Sequence, residues 1–156
     1  MPLANNALVL VTDGRKTLFF RNAGDVNQID LRTESHDERD DADFNRDLVS
    51  DGPGAVQQSG GYGRSTYEET DFKQLEEDRW AHGAAEQVNK RALSGDFDAL
   101  AIIAPPKTLG ELRKKLHKEA ARRVVCEIAK EMTGRPIPDI EALITSETAA
   151  KEPADV

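Results

Sequence analysis

The sequence is poor in the residues and runs that mark several classes of protein. Cys126 is the only cysteine among 156 residues, so a disulfide within the chain is impossible and a reducing compartment is expected. No apolar run approaches the roughly 18 residues that a membrane span needs. The N-terminus also lacks the basic region of a secretion signal. We therefore expect a cytoplasmic protein without a membrane contact.

Basic charge is scarce as well. The chain has 21 lysines and arginines against 29 aspartates and glutamates, a net charge of -8. This balance argues against a DNA-binding protein or a uniformly basic RNA-binding protein, but it allows a local basic face. The acidity is concentrated, because residues 33–70 hold ten acidic and three basic side chains. The rest of the chain is close to neutral.

The patterns that hold metals or cofactors are missing from the sequence. The acidic residues between Glu34 and Asp51 lack the spacing of a calcium loop. The histidines show no zinc spacing with Cys126, which we expect to be a buried thiol in a strand. No phosphate-binding glycine motif or nucleophile elbow is present. We predict no metal, no cofactor and no catalytic constellation. The three histidines are His36, His82 and His117.

Hydropathy predicts three antiparallel strands at the start of the chain. Ala7–Val11 and Lys16–Phe20 are apolar runs on either side of the Asp13-Gly14 turn signal. Val26–Arg32 alternates enough to be the third strand. Periodicity then disappears over 33–70, which is acidic first and glycine-rich second. We predict a long loop there, of the kind that is usually functional or disordered.

The second half of the chain alternates between helix and strand patterns. A helix pattern begins at Asp71 and ends at Gly95, a good C-terminal stop. Leu100–Ala104 is an uninterrupted apolar run, which suits a strand covered on both faces, and we expect it to be the central strand. Thr108 followed by Glu111 has the spacing of a capping box, which predicts that the next helix starts there.

The end of the chain completes an α/β (α+β) pattern. Val124–Ile128 predicts a fifth strand, and Ile140 and Ile144 predict a last helix that faces inward. The order βββ-α-β-α-β-α predicts one mixed five-stranded sheet flanked by helices. We expect a single domain over residues 1–147, with a frayed polar tail at 148–156.

Four segments carry a resemblance to a known family. They are the hairpin ALVLVTDG…LFF, the loop RDLVSDGPGAVQQSGGYGR, the core FDALAIIAPPKTLGELRKKL and the end VVCEIAKEMTGRPIPDIEALI. Together they resemble the bacterial host attachment protein family ("protein required for attachment to host cells"), from about Ala7 to Ile144. That family is similar in fold to the middle domain of eukaryotic and archaeal peptide-release factors and of Pelota. Its name implies a role in adhesion, whereas the distant relationship implies work at the ribosome.

The resemblance also implies a place for a catalytic tip. Release factors carry Gly-Gly-Gln in the corresponding long loop, where it helps water to attack the peptidyl-tRNA ester. This chain has Gly60-Gly61-Tyr62 there, followed by Arg64, which could meet a phosphate. Tyr62 stands where glutamine is needed, and the spacing to the next helix differs. We therefore favour a flexible glycine loop over a catalytic tip, and we keep these four residues as a candidate binding site.

The only basic patch in the sequence lies between Lys107 and Arg123. This stretch contains seven basic residues and two acidic ones, Glu111 and Glu119. Such a surface could contact RNA phosphates. It could also be an ordinary solvated helix face, or it could dock the acidic segment of this chain or of a second copy. The residues that we choose as candidate phosphate ligands are Lys107, Arg113, Lys114 and Lys118.

These observations favour a non-enzymatic binding protein that associates with the ribosome or with a structured RNA. Two alternatives stay open. One is a hydrolase that acts on an ester such as peptidyl-tRNA through the glycine-rich loop. The other is a factor for attachment to host cells that acts indirectly. Homo-oligomerisation is also left open by the sequence.

Overall fold

The computed structural model describes residues 3–39 and 66–151, with the backbone alone at 66–70 and 150–151. Its strands form one sheet in the order β3-β2-β1-β4-β5. The predicted α/β fold with one mixed five-stranded sheet is confirmed, and a short extra helix, α3, follows the second long one. The elements are β1 (Leu8–Thr12), β2 (Lys16–Asn22), β3 (Leu31–Glu38), α1 (Thr66–Leu93), β4 (Leu100–Ala104), α2 (Pro106–Lys115), α3 (Lys118–Ala121), β5 (Val124–Ala129) and α4 (Ile137–Lys151).

The middle strand of the sheet is β1. It pairs antiparallel with β2 on one side and parallel with β4 on the other. Strand β4 lies between β1 and β5, so the prediction that Leu100–Ala104 is the central strand is wrong. Every residue of both β1 and β4 is buried, because both strands are interior. Hydropathy therefore cannot tell which of the two is central.

Alternate side chains of the strands build two apolar layers. Leu8 and Leu10 of β1 point to the layer that holds α1, α2 and α3, whereas Val9 and Val11 point to the layer that holds α4. This division follows from the two-residue period of a strand. Helix α1 contributes a stripe of small side chains that lets it lie close to the sheet; the stripe consists of Ala81, Ala84, Ala85, Val88 and Ala92.

Strand β3 begins five residues later than predicted. Asp25 Oδ1 accepts hydrogen bonds from the N–H groups of Asn27 and Gln28, both at 2.9 Å, and this Asx turn occupies the start of the predicted strand. The strand itself runs Leu31–Glu38, and only Leu31 in it is fully buried. Its remaining residues are polar and lie at the edge of the sheet, so hydropathy gave no signal for them.

The helix starts also differ from the predictions. Helix α1 begins at Thr66 rather than at Asp71 and is 28 residues long. Helix α2 begins at Pro106, with Pro105 as the N-cap and no side-chain cap. The capping box predicted at Thr108 is therefore wrong, because the fixed φ of proline already starts the helix two residues earlier. The predicted stop at Gly95 is confirmed, and Gly95 takes the positive φ of 75° that ends α1.

Helix α4 buries Ile140 and Ile144 as predicted. It continues to Lys151, and Thr148 Oγ1 donates a hydrogen bond of 2.9 Å to the Ile144 carbonyl. The first four residues of the expected tail, 148–151, are therefore helical, and residues 152–156 lie outside the described part. In the same way, β3 and α1 occupy the two ends of the expected loop 33–70, and residues 40–65 lie outside the described part.

A cluster of two arginines and two carboxylates ties β2, β3, α1 and the turn after α1 together. Arg21 donates to Glu34 at 2.9 Å and to the Asp96 carboxylate at 2.7 Å. Its guanidinium also reaches the carbonyls of Asn6 and Asp96. Arg91 pairs with the same two carboxylates and lies over the Phe19 ring, 5.1 Å from its centroid. This arginine–carboxylate cluster joins residues that are up to 75 positions apart.

No helix within residues 3–39 and 66–151 is both long and apolar enough to cross a bilayer.

Candidate functional site

Helix α2 is positioned by its apolar face. Leu109 and Leu112 are buried against α1 and the sheet, and Leu116 after the helix packs on the same layer. Lys107 and Lys114 are seven residues apart, so they share a face roughly opposite to these leucines. Both lysines are exposed. The burial of the leucine stripe therefore turns a basic face to solvent.

Three of the cations on this face already have acidic partners. Arg113 Nε donates to Glu127 at 2.9 Å, and Lys114 Nζ donates to Glu111 at 2.7 Å. These hydrogen bonds raise the pKa values of Arg113 and Lys114 above their ordinary values. Arg122 pairs in the same way with Glu119 at 2.7 Å. Their positive charge is therefore partly neutralised before any ligand arrives.

Glu111 also connects α2 to α1. Its Oε1 lies 2.9 Å from His82 Nε2 on α1, and its Oε2 accepts from Lys114. The hydrogen bond from Lys114, and then the one from His82, lowers the pKa of Glu111 below its ordinary value. This carboxylate joins the two helices. Because its pKa is lowered, it is ionised at neutral pH and has no proton to donate.

Arg123 has a structural role. Its Nη1 donates to the carbonyls of Ala92 and Phe97, at 3.0 and 2.8 Å, and its guanidinium lies 5.8 Å from the centroid of the Phe97 ring. The side chain is only 19% exposed. These contacts cap the end of α1 and the turn into β4, so Arg123 is not available to a ligand.

Three lysines of the patch have no acidic partner within the described residues. Lys107, Lys115 and Lys118 are exposed and form no ion pair within the described residues. We call them the free lysines. They lie on α2 and α3, in a stretch whose cations outnumber its carboxylates by seven to two. An ammonium group of this kind can take a phosphate oxygen without breaking an existing contact.

The structure thus brings all four predicted residues of the patch onto the α2–α3 surface and divides them into two groups. Lys107 and Lys118 are free, whereas Arg113 and Lys114 are paired. Lys115 is not among the predicted ligands; it is exposed and forms no ion pair within the described residues, and the sequence carries no signal for this difference from Lys114. The other predicted site lies in the chain outside the described residues and stays a prediction; it consists of Gly60, Gly61, Tyr62 and Arg64.

A cavity of about 380 Å³ opens at one end of the basic face, where the parallel strands β1 and β4 end. Ligands of open α/β sheets commonly bind outside the carboxyl ends of such strands. Lys107 belongs both to this cavity and to the basic face. The other lining residues are Asp13, Gly14, Arg15, Gln74, Glu77, Pro105, Pro106, Thr108 and Glu131.

Asp13 is the most constrained side chain at this cavity. Its Oδ1 accepts the N–H groups of Arg15 and Lys16, both at 2.7 Å, and its Oδ2 accepts from Thr133 Oγ1 at 2.7 Å. Burial alone would raise the pKa of Asp13, but the hydrogen bonds from Thr133 and from the two N–H groups outweigh it and hold the pKa below its ordinary value. Asp13 is therefore an ionised brace between the β1–β2 turn and the β5–α4 loop, and it is unsuited to act as a general acid.

Metal ligands do not converge in the described part of the chain. No three histidine, cysteine, aspartate or glutamate side chains of residues 3–39 and 66–151 are placed to share an ion. Cys126 is buried in β5, as the sequence predicts.

Comparison with known families agrees with this architecture. No curated protein matches the sequence. A family model, that of bacterial archaeo-eukaryotic release factor family 12, matches residues 6–144. The match confirms the release-factor side of the resemblance seen in the sequence, whereas attachment to host cells stays a prediction. Because the match covers most of the chain, including all five strands, the chain belongs to bacterial archaeo-eukaryotic release factor family 12.

Proposed function

We propose that this chain is a non-enzymatic binding protein that acts on the translation machinery in the cytoplasm, with the ribosome as its partner. Membership of a release-factor family supports the link to translation. The observation that carries the proposal is the set of free lysines on α2 and α3, in a protein whose net charge is -8. A ribosome presents dense phosphate charge, which is the ligand that such a face fits.

The negative net charge does not prevent this contact. At physiological salt the Debye length is about 8 Å, so acidic residues on distant surfaces are largely screened from a phosphate at the basic face. The local balance decides the interaction. Residues 106–123 carry seven cations and two carboxylates. Their attraction for phosphate is of short range, and we expect it to be sensitive to salt.

The test is co-sedimentation of the purified protein with ribosomes at low and at moderate salt. We expect the natural protein to sediment with ribosomes at low salt and less at moderate salt. The triple variant K107E/K115E/K118E should remain in the supernatant, because each change places a carboxylate where a phosphate would bind.

A matched control carries the same change of charge elsewhere. Lys90 lies at the end of α1, and Lys130 and Arg135 lie beside α4; all three are exposed. The variant K90E/K130E/R135E should still sediment with ribosomes. If the natural protein stays in the supernatant at both salts, the proposal is wrong. If both triple variants lose binding equally, net charge and not the α2–α3 surface governs the association.

A further inference from the structure

The basic face offers no aromatic ring to a ligand. Residues 106–123, which span α2 and α3, contain no phenylalanine, tyrosine or tryptophan. His117 has the one imidazole there, and its Nδ1 accepts the N–H of Glu119 at 3.0 Å, so the imidazole serves as the cap of α3. Proteins that hold single-stranded nucleic acid rely on aromatic stacking, which is worth about 1–3 kcal/mol per base. Residues 106–123 have no such side chain with which to gain this stacking free energy.

Guanidinium planes can also stack on bases, but those of this face are turned toward partners in the protein, which fix their orientation. Arg113 is bound to Glu127, Arg122 to Glu119, and Arg123 to two backbone carbonyls. The groups that remain are three ammonium ions. An ammonium is a compact point charge without the planar fork that reads a base edge. It binds phosphate oxygens with little regard to sequence.

The spread of the free lysines fits a surface on which phosphates are fixed in place. Lys107 and Lys115 stand at opposite ends of α2, whose ten residues rise about 15 Å. Lys118 is exposed at the start of α3, three residues after Lys115. Ammonium groups so far apart engage separate phosphates. A duplex presents its phosphates at higher charge density than a single strand and needs no ordering when it binds.

We propose, resting on the function proposed above, that the α2–α3 face binds the phosphate backbone of an RNA duplex, without reading its sequence and without stacking on unpaired bases. The free lysines are the ligands of the phosphates, and the paired cations hold the surface in shape.

The experiment measures the binding of the full chain by fluorescence anisotropy, with labelled RNA of two kinds. One is an RNA duplex of about 16 base pairs, and the other is an oligouridylate of about 16 nucleotides, which does not pair. We expect the duplex to bind roughly tenfold more tightly than the oligouridylate. For three phosphates, log K should fall with log salt with a slope between about -2 and -3.

The two triple variants then assign the surface. K107E/K115E/K118E should lose at least roughly tenfold in duplex affinity, and K90E/K130E/R135E should stay within about twofold of the natural protein. An unchanged urea midpoint shows that each variant is folded. Equal affinity for duplex and oligouridylate would overturn the inference, as would duplex binding that survives loss of the free lysines.

The outcomes separate this inference from the function on which it rests. If ribosome binding depends on the free lysines but the RNA duplex does not bind, the surface docks a part of the ribosome other than an RNA duplex; the inference then fails and the proposed function stands. If the duplex binds through the free lysines but ribosomes do not, the proposed function fails and the inference about the surface stands.

Discussion

Replacing Arg21 by alanine tests the arginine–carboxylate cluster that joins β2, β3, α1 and the turn after α1. The Arg21 side chain is only 17% exposed, and it donates to two carboxylates and two backbone carbonyls. In R21A both carbonyls lose this hydrogen-bond donor. Glu34 and Asp96 keep their ion pairs with Arg91 but lose those with Arg21. Breaking a buried ion pair costs about 3–5 kcal/mol. Because Glu34 and Asp96 are about one-third exposed, we expect a smaller loss of about 2–3 kcal/mol.

The assay is urea unfolding followed by circular dichroism. With an m-value of about 2 kcal/mol per molar urea, the expected loss lowers the midpoint by roughly 1 M. Arg32 is the cross-strand neighbour of Arg21 in the β2–β3 pair, but it is 70% exposed, and its one ion pair with a described residue is with Asp30. R32A should therefore change the free energy of unfolding by less than about 0.5 kcal/mol. Equal midpoints for R21A and the natural protein would refute this reasoning.

Three further predictions concern stability. Hydrogen bonds from Arg21 and Arg91 lower the folded-state pKa of Asp96 below its ordinary 3.8; burial raises the pKa of Glu34, but hydrogen bonds from Arg91 and Arg21 outweigh it and hold this pKa below its ordinary 4.5. The stability that these two groups add is therefore present above pH 4.5 and is lost as the pH falls through the folded-state values. Below pH 4.5 the free energy of unfolding should fall less steeply with decreasing pH in R21A than in the natural protein. The same slope in both proteins would contradict this. D13N should cost about 1–2 kcal/mol in urea unfolding, because it weakens the brace to Thr133, whereas D98N, at an exposed carboxylate, should cost almost nothing. I144A should lower the unfolding free energy by about 2–4 kcal/mol, and a loss below 1 kcal/mol would mean that α4 is not packed as described.

The sequence predicted the elements that are buried and missed the boundaries that depend on hydrogen bonds. Leu100–Ala104 is predictable because burial on both faces leaves an unbroken apolar run. Val124–Ile128 is predictable because Val124, Val125, Cys126 and Ile128 are apolar, although Glu127 interrupts them and the strand lies at the edge of the sheet. Strand β3 was misplaced because an edge strand is held by backbone pairing, and its polar side chains carry no periodic signal. The start of α1 was placed late for a related reason, since Thr66–Thr70 is polar and adds no apolar stripe.

The candidate site was predictable in outline only. The sequence identified the run of cations between Lys107 and Arg123, because charge is visible in composition. It could not divide them fully into paired and free groups: Lys114 and Arg122 pair with carboxylates three residues away, but the partners of Arg113 and Arg123 come from β5 and from the turn after α1. Contacts between residues distant in the chain leave no trace in local spacing. The same holds for the pairing of Arg21 with Asp96.

We propose that the free lysines bind this protein to the ribosome. The most direct test of this proposal is the affinity of the purified chain for purified ribosomes as a function of salt, compared between the natural protein and K107E/K115E/K118E. We expect the affinity of the natural protein to fall with salt with a slope of about -2 to -3, and the affinity of the variant to be nearly lost. Binding that is insensitive to salt and equal in the two proteins would contradict it.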